Sequence, residues 1–203
     1  MRRAFLLCLC LWLVPVAASA QTLPAIYDVS GVAANDTLNV RSGPSIDHAV
    51  IAKLPPDAAG LEVVDSDKTG EWGLINTGEA SGWVALRYMA RQPGQPATGL
   101  ARNLACSGTE PFWSFSLTPD RKAEMTRLDT TVPFADVLVV PSANRPDRHA
   151  LFADGGDTVV TAMVGRNQCS DGMSDRAYGL GIDLLVTDKT EVKVYSGCCS
   201  VAP

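Results

Sequence analysis

The sequence predicts an all-β fold built from two small domains, and three observations support this prediction. Short runs of alternating or continuous apolar residues recur after residue 20, separated by turns rich in Gly, Pro, Asn and Asp. No stretch after residue 20 shows a sustained helical period. The segment 90–103 carries two prolines and two glycines without apolar periodicity, so it divides the chain.

The first twenty residues, MRRAFLLCLCLWLVPVAASA, have the three parts of an export signal. Arg2 and Arg3 supply the positive charge, residues 4–16 are almost wholly apolar, and 18–20 are small. We therefore predict a signal peptide over 1–20, with cleavage before Gln21. The apolar run is too short for a membrane span, so no stable membrane anchor is expected after cleavage. The predicted location is outside the cytoplasm, in the bacterial periplasm.

Charge excludes one class of partner. Lys and Arg number 17 in the whole chain and 15 once Arg2 and Arg3 are removed, against 22 Asp and Glu, which leaves a net charge of about −7. This acidity argues against a nucleic-acid partner, because phosphate backbones bind basic surfaces. No motif points to a nucleotide or a flavin, so no cofactor is predicted.

Four cysteines remain after signal cleavage, because Cys8 and Cys10 belong to the signal. The remaining four are Cys106, Cys169, Cys198 and Cys199. An even number of cysteines in an exported chain is typical of a disulfide framework. Four cysteines allow three pairings, and their spacing does not select one. All four follow the linker, so only the second domain is expected to be cross-linked.

The first half consists of short predicted strands separated by turn residues. These strands cover 25–30, 37–41, 49–54, 60–65, 71–76 and 82–86. Strands this short and frequent favour a small closed barrel, which removes exposed sheet edges.

This half resembles a bacterial SH3 (SH3b) domain. The resemblance rests on LNVRSGP at 38–44, EW at 71–72, GWV at 82–84 and the following Tyr88, and it covers roughly 26–91. The predicted SH3-like domain spans 21–91. Within it we expect Val40 to point into the barrel. Gly82 would allow close chain approach before Trp83 enters the core.

The resemblance implies a binding module for peptidoglycan or envelope peptides. Tyr27, Trp72 and Tyr88 are the expected exposed aromatic contacts, and Arg41 would face a carboxylated ligand. The alternative is that these aromatics are core residues and that Arg41 pairs with an acidic neighbour.

The second half, 105–203 after a linker at 92–104, predicts a disulfide-bonded β barrel or sandwich. Its expected strands are 121–127, 136–140, 149–153, 157–164, 178–188 and 191–196. In CSGTEPFW, residues 113–117 alternate like a strand, so Trp113 is expected inside and Phe112 outside. Glu110 and Pro111 lie in a predicted turn.

This half also resembles a family of small exported or lipid-anchored bacterial proteins of unknown activity. The shared motifs are CSGTEPFW, CSDGMSDRAYGLGIDLL and YSGCC, in that order. The resemblance implies that Cys169 pairs with Cys198 or Cys199, and Cys106 with the other.

A cysteine hydrolase acting on cell-wall peptides is one alternative function. Cys106 would be the nucleophile and His149 its base. Pro111 and the strand pattern after Cys106 argue against the helix that would activate such a thiol. We therefore predict a non-enzymatic protein with no catalytic residues.

A metal site is the other alternative. Cys169, Met173, Cys198 and Cys199 could bind Cu(I), with Met163 nearby in sequence. An oxidising compartment favours disulfides for the same cysteines, so no metal site is predicted.

The acidic residues of this half are assigned to turns. Glu110, Asp171 and Asp175 could line an active site or bind Ca²⁺. The segment DGMSD at 171–175 lacks the regular oxygen spacing of a calcium loop, so turn-forming or capping roles are expected. Asp154 and Asp157 are assigned to a hairpin turn.

Overall fold

The computed structural model describes residues 22–96, 99–101 and 103–201, so the predicted signal peptide lies outside the described residues. The fold is all-β, as predicted, and it contains two antiparallel sheets. Within the described ranges no helix is long and apolar enough to cross a membrane.

The first sheet contains seven strands in the order β3-β2-β6-β5-β4-β1-β7. Their bounds are β1 Ala25–Val29, β2 Leu38–Arg41, β3 Val50–Leu54, β4 Leu61–Ser66, β5 Trp72–Thr77, β6 Ala80–Ala85 and β7 Met89–Arg91, with a 3-10 turn at Leu86–Tyr88 before β7. Every strand contributes to one core, so the sheet curls into a barrel. The sequence pattern did not predict β7, which is only three residues long.

Two predictions about this first barrel concern strands β2 and β6. Val40 is fully buried, as predicted, and a Cβ on Gly82 would lie 2.6 Å from Val40 Cγ1, which confirms the close approach. The prediction that Trp83 enters the core is wrong. Side chains on a strand alternate, so Gly82 and Val84 face inward and Trp83 faces outward, opposite Arg41.

The second sheet contains nine strands in the order β11-β10-β9-β8-β16-β15-β14-β13-β12. Their bounds are β8 Leu104–Gly108, β9 Trp113–Leu117, β10 Ala123–Arg127, β11 Thr130–Phe134, β12 Val137–Pro141, β13 Arg148–Asp154, β14 Thr158–Cys169, β15 Tyr178–Asp188 and β16 Val192–Val201. The sequence pattern did not predict β8 or β11.

The chain connection between β11 and β12 shows that this sheet curls. These strands are the two ends of the strand order, yet only Ala135 and Asp136 separate them. Two intervening residues span at most about 11 Å. Nine flat strands would place the two edges about 38 Å apart. The sheet therefore curls into a second, nearly closed barrel, and all of its strands share one core.

Two disulfides cross-link the second barrel, as predicted. Cys106 on β8 and Cys199 on β16 lie directly opposite each other and are bonded inside the core. Cys169, at the end of β14, is bonded to Cys198. This is one of the two pairings that the second resemblance implies.

The two barrels contact each other directly. Asn76 Nδ2 donates to Ala177 O (2.9 Å), and Asn76 Oδ1 accepts from Ala177 N (2.8 Å). Arg176 Nη1 donates to Gly78 O (3.1 Å), and Val201 N donates to Glu62 Oε1 (2.7 Å). These bonds join residues 98 to 139 positions apart, so the barrels are docked onto one another.

Candidate functional site: a groove on the first barrel

Tyr27 does not belong to an exposed binding surface. It is only 5% exposed, and it lies on β1, which pairs with β4 on one side and β7 on the other. Alternation along β1 turns Ala25, Tyr27 and Val29 into the core. Burial raises the pKa of the Tyr27 hydroxyl, while the charge of Arg91 opposes that shift. The prediction that Tyr27 is an exposed contact is therefore wrong.

The other three predicted binding residues line one groove. Trp72, Tyr88 and Arg41 meet around a cavity of about 440 Å³ on the barrel surface. Trp72 is only 9% exposed, which corrects the prediction that it is an exposed aromatic, since most of its surface is buried. Tyr88 is half-buried and also packs against the barrel core. The half-buried Tyr88 and the small accessible part of Trp72 give the groove its aromatic floor.

Arg41 forms the edge of the groove and holds the adjacent loop. Its Nη1 donates to Ile46 O (2.9 Å) and to His48 O (2.8 Å). These carbonyls, rather than an acidic neighbour, are its partners. The bonds fix the turn after β2, so that Ile46, which is 68% exposed, lies along the groove rim.

Arg87 is a groove residue that the sequence reasoning missed. The 3-10 turn places it next to Tyr88, and its guanidinium carbon lies 4.8 Å from the centroid of the Tyr88 ring. This cation–π contact holds a second guanidinium at the groove. The only sequence signal was its position beside Tyr88.

The groove therefore combines an aromatic floor with two guanidinium groups. Asp36, exposed at the rim, has its Oδ1 occupied by the N–H of Thr37 (2.7 Å). Guanidinium groups bind carboxylates through paired hydrogen bonds, and aromatic floors accept apolar or planar groups. This arrangement is suited to binding an extended, carboxylate-bearing ligand.

The sequence of the groove strands matches a known family. Residues 36–90 match the family described as Bacterial SH3 domain. The match covers β2 to most of β7 and the groove side chains of Arg41, Trp72, Arg87 and Tyr88. The comparison with curated proteins and the comparison with solved structures found no match. The resemblance of the second half to small exported proteins is not confirmed.

The cysteine-hydrolase hypothesis needs a free thiolate at Cys106. The sulfur of Cys106 is bonded to Cys199, and the residue is only 3% exposed. His149, on β13, is buried too, and burial followed by the charge of Arg166 lowers its pKa. The nucleophile that this hypothesis requires is therefore held in a disulfide.

The copper hypothesis needs the same sulfurs to be reduced. Cys169, Cys198 and Cys199 are all disulfide-bonded, and Met173 is 67% exposed. Among the described residues, no three His, Cys, Asp or Glu side chains form a group that could hold a metal ion. In the part of the chain that the structure describes, the disulfides leave no cysteine thiolate for a Cu(I) site.

The motifs of the second half meet around one cleft of about 490 Å³. Residues 107–109, 169–171 and 196–197 all line it, next to the Cys169–Cys198 disulfide. Asp171 forms the turn at its rim by accepting from the N–H groups of Met173 and Ser174 (both 3.0 Å). These bonds lower the pKa of Asp171 to about 2. The turn role expected for Asp171 is confirmed.

The predicted exposures in TEPFW are confirmed as well. Trp113 is 5% exposed and lies in the core, whereas Phe112 is 63% exposed. Glu110 adopts a left-handed backbone conformation (φ 56°) in the turn before β9.

Proposed function

We propose that this is an exported, non-enzymatic protein of the bacterial periplasm whose first barrel binds peptidoglycan or envelope peptides. The observation that carries the proposal is the groove, in which Arg41, Trp72, Arg87 and Tyr88 meet within a match to bacterial SH3 domains. Stem peptides of peptidoglycan present free carboxylates along an extended backbone. The two guanidiniums would pair with the carboxylates, and the peptide would pack against the aromatic floor.

Export is supported by the two disulfides, because such bonds persist in oxidising compartments. The intact mass of the exported protein tests this part of the proposal. We expect a chain that starts at Gln21 and gains no mass on alkylation under non-reducing denaturation. Retention of residues 1–20, or free thiols, would contradict export with full cross-linking.

Binding is tested by titrating the full chain with soluble muropeptides and by co-sedimentation with purified sacculi. Arg87→Ala removes an exposed groove cation, and Lys68→Ala, in the β4–β5 turn outside the groove, is the matched control. Exposed ion pairs contribute up to about 1 kcal/mol, so Arg87→Ala should weaken binding up to about fivefold, while Lys68→Ala leaves it unchanged. If the unaltered protein neither sediments with sacculi nor binds any envelope peptide, the proposal fails.

A further inference from the structure

A second cavity, of about 300 Å³, lies where the two barrels and their connecting segment meet. Arg91 at the end of β7 lines it from the first barrel, and Arg166 on β14 lines it from the second. Pro96 and Gln95 contribute from the connecting segment. Two guanidinium groups from separate barrels therefore border one small space.

Backbone carbonyls fix Arg166 in place. Its Nε donates to Leu23 O (2.9 Å), and its Nη2 donates to Gly99 O. Both acceptors are neutral, so these bonds orient the guanidinium without neutralising its charge.

One hydrogen-bond donor of Arg91, its Nε–H, is unsatisfied within the described ranges. Its Nη2 donates to Pro96 O (3.1 Å), but its Nε is buried and has no hydrogen-bond partner in the described part of the chain. A buried donor without an acceptor destabilises a fold, so such groups ordinarily have a partner. The Arg91 Nε–H is therefore an unsatisfied donor among the described residues, and an acceptor from outside them would satisfy it.

The charges of these two arginines are also not balanced by a contacting carboxylate. Among the described residues, neither Arg91 nor Arg166 has a carboxylate oxygen within 4.0 Å. Asp147, which does act on Arg166 at longer range, is bound by both Nε and Nη2 of Arg145. Burial lowers the pKa of Arg166; the charge of Asp147 opposes this shift, and that of Arg91 adds to it. Glu62, whose Oε1 accepts the N–H of the lining residue Val201, does not line the cavity.

We propose that this cavity binds a small oxyanion, a carboxylate or a phosphate, between the guanidiniums of Arg91 and Arg166. The anion would offset part of the positive charge of the two guanidiniums, and a small movement of the Arg91 side chain would let it accept from the buried Nε–H. Pro24, Ile26 and Val201 in the lining would contact a short apolar body attached to the anion. The volume lies at the lower end for small-molecule sites, which fits a ligand of that size.

This site shares no lining residue with the groove of the first barrel. The proposal is therefore independent of peptidoglycan binding, and either one can fail while the other holds.

The test is a titration of the full mature chain with acetate, succinate and inorganic phosphate, exchanged against chloride at constant ionic strength. Calorimetry gives the affinity, and the ¹⁵N-labelled arginine Nε–H resonances report on Arg91 directly. We expect saturable binding with a matching shift of the Arg91 Nε–H resonance. The arm that binds more tightly distinguishes a carboxylate from a phosphate ligand.

Variants then locate the site. Hydrogen bonds to charged groups contribute more binding free energy than neutral ones. We therefore expect Arg91→Gln and Arg166→Gln each to weaken binding about tenfold or more. Arg176→Gln is the matched control, because Arg176 also donates to a carbonyl across the barrel contact but does not line the cavity. Its affinity should equal that of the unaltered chain.

Three results would overturn the proposal: no saturable binding of any of the three anions at millimolar concentration, equal affinity in all variants, or an Arg91 Nε–H resonance that does not move. If Arg166→Gln does not fold, Arg91→Lys decides the outcome, since it keeps the charge but lacks the buried Nε–H. Affinity unchanged in Arg91→Lys would then reject the site.

Discussion

The two barrels of this protein are stabilised in different ways. The first barrel, within 22–96, contains no cysteine, and its strands approach closely where Gly82 faces Val40. The second barrel has its two end strands joined by a two-residue connection and is cross-linked by disulfides that span 93 and 29 residues. The second barrel also contains close approaches, since a Cβ on Gly197 would overlap Ser107 O. What separates the two barrels is therefore the pair of covalent links between distant segments of the larger one.

The two barrels also differ in whether their sequences match a known family. The first barrel depends on short motifs at turns and close approaches, and residues 36–90 match a family. The function proposed for this protein rests on that barrel. The second barrel contributes its contacts with the first barrel and part of the lining of the cavity at Arg91 and Arg166.

Removal of the disulfides should have the largest effect and should act on the second barrel. In the chain-entropy account, opening the 93-residue loop with Cys106→Ala and Cys199→Ala costs about 4–5 kcal/mol. Opening the 29-residue loop with Cys169→Ala and Cys198→Ala costs about 3–4 kcal/mol. Urea unfolding followed by the fluorescence of Trp113, with Trp72 and Trp83 replaced by Phe, measures both. A larger loss from the shorter loop would contradict this account.

Two adjacent aromatics test the inward face of the second barrel. Trp113→Ala removes a buried ring and should lower the free energy of unfolding by about 3–5 kcal/mol. Phe112→Ala removes an exposed ring and should change it by no more than about 0.5 kcal/mol. Thermal and urea unfolding of both variants measure the difference. Comparable losses would show that Phe112 packs in the folded protein.

Glu62 tests the contact between the barrels through its pH dependence. Burial raises the pKa of Glu62 to about 7, against the opposing effects of the Val201 N–H and the charge of Arg176. The folded protein then retains a proton that the unfolded chain releases above about pH 4.5. Stability should therefore fall as pH rises from about 4.5 to 7, by roughly 1–3 kcal/mol.

The Glu62→Gln variant should lack this part of the pH dependence, since an amide does not ionise but still accepts the Val201 N–H. The measurement is the free energy of unfolding between pH 4.5 and 8. Glu124→Gln, on the exposed side of β10, is the control and should follow the unaltered protein. Parallel curves for the Glu62→Gln variant and the unaltered protein would contradict the assignment.

Alternation of apolar residues predicted the all-β fold and most of the strands. It failed for β7, which has only three residues, for β8, which directly follows the connecting segment, and for β11, where Pro133 stands within the strand. It also placed Trp83 in the core, whereas Trp83 faces outward. The order of the motifs does not specify which side of a strand faces the core. Register decides that, and register depends on pairing with distant strands.

The candidate site was predicted only in part, because burial of its residues also depends on pairing with distant strands. Arg41, Trp72 and Tyr88 line the groove, whereas Tyr27 is inside because β1 has a neighbour on each side. Arg87 was missed because its importance comes from its contact with the Tyr88 ring rather than from a sequence pattern. The cavity at Arg91 and Arg166 joins residues 75 positions apart on two barrels, so no local pattern could reveal it.

The most direct test of the central claim is hydrogen exchange of the full chain with and without a soluble muropeptide. The account predicts slower exchange in segments 36–41 and 85–88, which border the groove, with no change in the strands β13 to β15 of the second barrel. Unchanged exchange at the groove, or protection confined to the second barrel, would contradict binding by the first barrel.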